Sequence, residues 1–256
     1  MDQVQNPNSW YKICPGCPEY GRVHWSVMEG YGQFCPVAMT AELLTRRWTP
    51  LVIRELLEGS HRFNEIRRGV PRMSPSLLVQ RLRELEKGGV LVRRPVADGD
   101  HSEYHLTPAG EELAPIIMQM GAWGRRWAQS EISRRHLDAG LLMWNIHRKV
   151  RTERLPARQV VVRFHFREAP KGERDFWLVL HGREVDLCLV DPGHEVDLWV
   201  EADLLALTQV WLGDLRFVEA VRCGAVELTG PVGLRRALPG WFGLQDSANR
   251  KRVAAR

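Results

Sequence analysis

The stretch from Ser74 to Gly89 restricts this chain more than any other part of it. Ser74-Pro75 supplies a capping hydroxyl and a first-turn proline, Leu78, Leu82 and Leu85 follow at helical spacing, and Gly88-Gly89 stops the run. At 100° per residue the three leucines fall within about 40° of one direction, so they face a core. Ser76, Gln80, Arg83 and Lys87 then lie opposite, toward solvent. Just upstream, Phe63, Ile66 and Val70 make a short helix ended by Gly69 and Pro71. Just downstream, the β-type runs Val90 to Val96 and Glu103 to Leu106 flank Ala-Asp-Gly-Asp, a hairpin signal.

The flanks complete the pattern. From Cys35, Val37, Ala41 and Leu44 have helical spacing, and Thr49-Pro50 is expected to cap a second helix carrying Leu51, Val52 and Leu56 and closed by Gly59. After the hairpin, Thr107-Pro108 opens a long helix through about Gln129 with Leu113, Ile116, Ile117, Met120 and Trp123 on a broad apolar face. Helices, a helix-turn-helix, a hairpin and a long helix, in that order, describe a winged helix-turn-helix. Charge agrees with such a module. Residues 61 to 94 hold nine Lys or Arg against three Glu, while residues 176 to 246 hold five against eleven acids. Two segments of opposite sign suggest two domains with different partners, the basic one suited to an anionic partner. Gln pairs bidentately with adenine and Arg with guanine in the major groove, which gives Gln80 and Arg83 a chemical role; a wing bearing Arg93 and Arg94 suits phosphate or the minor groove. Polar helix faces are also common on ordinary solvated helices.

These residues closely resemble the HxlR-type winged-helix transcriptional regulators. The resemblance is carried by Tyr31-Gly-Gln-Phe-Cys-Pro-Val-Ala, Arg47-Trp-Thr-Pro-Leu51, Arg62-Phe-Asn-Glu-Ile-Arg-Arg68, Met73-Ser-Pro-Ser-Leu-Leu-Val-Gln-Arg-Leu82 and Tyr104-His-Leu-Thr-Pro-Ala-Gly110. It implies a homodimer joined by the first and last helices of the domain and bound to an approximately palindromic operator on double-stranded DNA. Arg62, Arg67, Ser74, Ser76, Gln80, Arg81, Arg83, Lys87, Arg93 and Arg94 are the expected DNA-contacting residues.

The second half reads as α+β: a helix from Leu137 to about Arg148, strands at Gln159 to Phe166, Asp175 to Leu180, Glu184 to Leu189 and Glu195 to Val200, helices at Ala202 to Gly213 and Leu215 to Cys223, a strand Ala225 to Thr229 and a last helix Val232 to Trp241. It resembles the sterol-carrier-protein-like fold through Asp197-Leu-Trp-Val-Glu-Ala-Asp203, Trp211-Leu-Gly-Asp214 and Ala225-Val-Glu-Leu-Thr-Gly230. That resemblance implies an antiparallel sheet with helices and an apolar tunnel. Phe164, Phe166, Trp177, Trp199, Leu207, Trp211 and Phe217 are the candidates to line it, although large apolar side chains also simply fill cores.

Cysteine usage is sparse. Five scattered cysteines do not form a disulfide framework, and Cys14-Pro-Gly-Cys17 with His24 and Cys35 makes only part of a zinc pattern, so neither metal nor cofactor is expected. Cys35-Pro at a helix start places a sulfur near the positive dipole end, a setting for a redox-sensing thiol, and also for a buried one at a dimer seam. A Gly-rich phosphate loop, a His-Glu-x-x-His motif and a nucleophile elbow are all absent, so no catalytic residue is named. No apolar run reaches spanning length and Met1 to Tyr11 lacks a signal pattern, which points to a cytoplasmic protein without a membrane partner.

The expectation is thus an α+β chain: an irregular lead (1–30), a winged helix-turn-helix domain (31–130), a sterol-carrier-like domain (137–246) and a tail (247–256). It would act as a dimeric, sequence-specific DNA-binding regulator answering to an apolar small molecule or to oxidation. The alternative is a lipid or acyl-ligand carrier with an accessory DNA-binding domain.

Overall fold

The computed structural model describes residues 30–96, 102–128 and 137–244. The zinc-type pair Cys14 and Cys17 with His24, the Asp98-Gly99 turn, the residues between the two domains and the 247–256 tail lie outside them. Among the described residues no helix is long and apolar enough to cross a membrane.

Helices α1 (Pro36–Leu44), α2 (Thr49–Leu57), α3 (Phe63–Gly69) and α4 (Pro75–Lys87) come first, followed by the antiparallel hairpin β1 (Leu91–Pro95) and β2 (Ser102–Leu106). Ser74 caps α4 by accepting a hydrogen bond from the Leu77 amide at 3.3 Å. Thr107 caps α5 (Pro108–Glu111) through Gly110 and donates its hydroxyl to the Gly89 carbonyl, joining the helix to the hairpin base. Leu78, Leu82 and Leu85 enter one apolar cluster with Val52, Ile53, Leu56, Ile66 and Leu91.

Three expectations change here. Thr49 does not cap α2: the cap position is Trp48 in a left-handed conformation (φ 79°), and the Thr49 hydroxyl is buried without a partner. On α1 the buried residues are Ala38, Leu43 and Leu44, while Val37 is exposed. The long helix after Thr107 is broken into α5, α6 (Ala114–Trp123) and a π-helical turn (Gly124–Ala128), because Pro115 has no N–H to continue a helix and starts a new one instead. Of its apolar face only Ile117 is buried; Ile116, Met120 and Trp123 are exposed, the last by 63 %.

The C-terminal half begins with α7 (Ala139–Arg148), capped by Asp138 on the Leu141 amide at 2.8 Å. Strands β3 (Val160–Phe166), β4 (Asp175–His181), β5 (Glu184–Cys188), β6 (Leu198–Ala202) and β7 (Val226–Thr229) form one sheet in the order β5-β4-β3-β6-β7. Helices α8 (Leu204–Leu212), α9 (Phe217–Arg222) and α10 (Val232–Trp241) complete it. The sheet is mixed rather than antiparallel, since β6 pairs in parallel with β3. The segment 189–197 makes this possible by carrying the chain from the β5 edge to the far side of β3. β6 accordingly starts at Leu198, three residues later than its alternation suggests.

Period-two alternation sorts the large side chains onto two faces. Val160, Val162, Phe164 and Phe166 point into the main core with Phe176, Leu207, Phe217 and Phe242. Val161, Trp177 and Val179 form a separate cluster on the other face, covered in part by Val196 and Cys188.

Candidate nucleic-acid interface

The outward face of α4 stands as its periodicity requires: Ser76, Gln80, Arg83 and Lys87 are all exposed. The Gln80 amide donates to Glu84 at 3.0 Å, which orients it along the helix. Arg81 departs from expectation. It is half-buried, bonded to Glu84 at 2.5 Å and to the Arg47 carbonyl at 3.2 Å, so it braces α4 against the chain before α2 instead of reaching outward. Burial pushes the Glu84 carboxyl up, but hydrogen bonds from Gln80 and Arg81 and the charges of Arg81 and Arg46 outweigh it and hold the group below the usual carboxylate range. Ser74 is spent on the cap and lies 3.2 Å from the Ser76 hydroxyl.

The wing is fastened to the start of α3. Arg62 pairs with Glu103 of β2 at 3.3 Å, the Tyr104 amide donates to the His61 carbonyl at 2.8 Å, and His61 stacks on His105 with centroids 4.4 Å apart. Arg62 and Arg67 remain exposed at the two ends of α3. Arg93 and Arg94 are exposed on β1, opposite Tyr104 and Glu103 respectively. As neighbours on a strand they point to opposite faces of the ribbon, so the wing presents one arginine to each side.

Cys35 occupies the cap position of α1 as a half-buried free thiol. The pocket candidates do not converge on one cavity. Phe164 and Phe166 are buried, packed on Phe242 and Phe176 at 5.8 Å, and Leu207 and Phe217 lie in the same core with Trp211 against it. Trp177 and Trp199 sit on the opposite sheet face, where the Arg163 guanidinium lies 5.3 Å and 4.5 Å from their rings. Alternation makes a shared tunnel geometrically impossible for the seven.

One site escaped sequence reasoning. Glu55 of α2 is 0 % exposed and receives hydrogen bonds from Arg54 (2.6 Å), from Arg148 of α7 (2.8 Å) and from the Ser60 hydroxyl and the Trp144 indole (each 3.4 Å). The signal existed: Glu55 falls on the same helical stripe as Val52 and Leu56, a carboxylate where an apolar residue belongs.

The profile of the HxlR-like helix-turn-helix family matches residues 43–132. The HTH-type transcriptional regulator YvaP of Bacillus subtilis is 37% identical over 97 residues, which span 37% of this chain and 90% of YvaP. The HTH-type transcriptional regulator YodB of the same organism is 33% identical over 97 residues, spanning 37% of this chain and 87% of YodB. The structure of diamide-treated YodB from B. subtilis matches 38% of this chain and 99% of its own, with 32% identity and a TM-score of 0.33.

Proposed function

The chain belongs to the HxlR-like helix-turn-helix family, and from that premise we propose that it is a transcriptional regulator that binds double-stranded DNA as a homodimer. The observation that carries this reading is the exposed Ser76, Gln80, Arg83 and Lys87 face of α4, set beside a wing tied to α3. Base edges are read from α4, and Arg62, Arg67, Arg93 or Arg94 neutralise phosphate. The dimer reading is supported by apolar side chains left open on α1 and α6. Val37 and Met39 are exposed on the first, and Ile116, Met120 and Trp123 line an open groove of about 720 Å³ on the second. Duplexes selected from a random pool by the full chain should share a two-fold symmetric site and bind with an affinity that falls steeply with salt. Selection of no sequence would overturn the regulator reading.

Two effectors are kept. Cys35 at the head of α1 would carry an oxidation signal into the dimer seam; diamide should weaken operator binding by the wild type and leave Cys35→Ser unchanged. The C-terminal half, read as sterol-carrier-like, would take an apolar molecule on the helical side of its sheet, near Phe164, Phe166, Leu207, Trp211 and Phe217. A fluorescent fatty acid that fails to bind the full chain at tens of micromolar removes that proposal.

A further inference from the structure

The Glu55 site lies at the junction of the two halves, and a second tie between them lies at the end of α6. At the first, Arg148 is only 9 % exposed and divides its guanidinium between Glu55, the Ser60 hydroxyl (3.3 Å) and Asn145 of its own helix (2.7 Å). The Trp144 ring is flanked by Arg148 at 5.4 Å and by Arg68 of α3 at 5.3 Å, and Lys149 pairs with Glu58. Glu55 thus sits under α3 with its charge shared between Arg54 of its own helix and Arg148 of the other half of the chain. At the second, Arg125 in the π-helical turn after α6 donates to the Leu212 carbonyl at the end of α8 and lies 3.4 Å from Asp214.

The two ties hold different parts of the N-terminal half. The first grips α2 and α3, which carry α4; the second grips the end of α6, the helix with the open apolar face. In a dimer formed through α6, the angle between α6 and the α2–α4 unit sets the distance between the two copies of α4. We propose that the C-terminal half is a strut that fixes this angle, with Arg148 as a positioning residue for DNA recognition acting through buried Glu55. The proposal rests on the dimeric DNA-binding reading above. The geometry favours a rigid link because a carboxylate removed from water holds its partners in place. Moving α7 away would remove the Arg148 and Trp144 donors and leave the buried carboxylate to Arg54 and Ser60.

The experiment compares the site selected by the wild-type full chain with the same site lengthened or shortened by one base pair at its centre. Each added pair moves and rotates one half-site relative to the other, so a rigid dimer should lose about tenfold or more in affinity. Arg148→Ala should bind the selected site more weakly and discriminate spacing by less than about threefold, with its salt dependence unchanged because no phosphate contact is lost. Arg148→Lys should recover part of the discrimination, which a simple loss of stability would not predict. Arg125→Ala, at a half-buried position outside both cores, tests the same strut from its other end should Arg148→Ala fail to fold, and it too should broaden the spacing tolerance. Wild-type spacing discrimination in folded Arg148→Ala or in Arg125→Ala overturns the strut. A wild-type chain that selects no site, or sediments as a monomer, instead overturns the reading on which the strut rests.

Discussion

Gln80 and Arg83 share the exposed face of α4, yet Arg81 between them is turned inward onto Glu84 and the Arg47 carbonyl. Replacing Gln80 or Arg83 by Ala should therefore cost on the order of 1 to 3 kcal/mol at the selected site and little on unrelated DNA, measured by competition titration. Arg81→Ala should do the reverse: lower the melting temperature while leaving base preference intact. Gly69 makes a second case for reading single positions by their neighbours. A Cβ there would come within 1.9 Å of the Glu55 carboxylate, which is fixed by four donors and unable to step aside. Gly69→Ala should lower unfolding free energy by about 3 kcal/mol or more, combining overpacking with disruption of a buried ion pair. Denaturant titration showing less than about 1 kcal/mol would mean that the carboxylate has room to move.

Helix α6 shows how little an apolar stripe says about what covers it. Its apolar face was legible in the sequence as spacing at Leu113, Ile116, Ile117, Met120 and Trp123, but spacing does not say whether a stripe meets its own core or a second copy. Ile117 meets the core; Ile116, Met120 and Trp123 do not. The helix-turn-helix and wing were legible because Ser74, Thr107 and the Gly88-Gly89 pair punctuate them locally. The parallel pairing of β3 with β6 was not, since it depends on where the 189–197 segment crosses the sheet rather than on any local pattern. Nor was the placement of Trp177 and Trp199 on a face separate from Phe164, although counting alternate residues from Arg163 through its cross-strand partners would have found it once the register was known. If the exposed α6 face is a dimer seam, Met120→Glu should convert the protein to a monomer in sedimentation and abolish two-fold site selection, with helical content retained. A dimer that survives Met120→Glu would place the seam elsewhere.

Among the described residues, the apolar cluster of the N-terminal half and the main one of the C-terminal half are joined by polar contacts, and α7 packs into the second while its Trp144 and Arg148 reach the first half at Glu55. His147 belongs to its last turn. The Nε2 of its ring bonds the Val185 carbonyl at 2.8 Å, the ring stacks on Trp144 at 5.2 Å, and Nδ1 is buried without a partner. Burial lowers the His147 pKa below the ordinary 6.5; the Val185 bond and Asp186 oppose that shift, and Arg68 and Arg148 reinforce it. The unfolded chain therefore takes up this proton at a higher pH than the native one. The sign follows: the contribution of neutral His147 is complete above about pH 6.5 and is lost as pH falls through the lowered folded value. Glu84 and Asp175, whose carboxyls are held below 4.5 and 3.8, add a second loss only at more acid pH. Thermal unfolding followed from pH 8 to pH 5 should show a falling melting temperature below about pH 6.5. His147→Gln should flatten that limb and leave the one below pH 4.5. Protonation also sets a third cation beside Arg68 and Arg148, so the junction is expected to loosen before either core. Once the pH has fallen through the lowered folded value, the wild type should tolerate altered half-site spacing in the way Arg148→Ala does at neutral pH. An acid limb unchanged in His147→Gln would assign the loss to other groups and remove pH from the control of the junction.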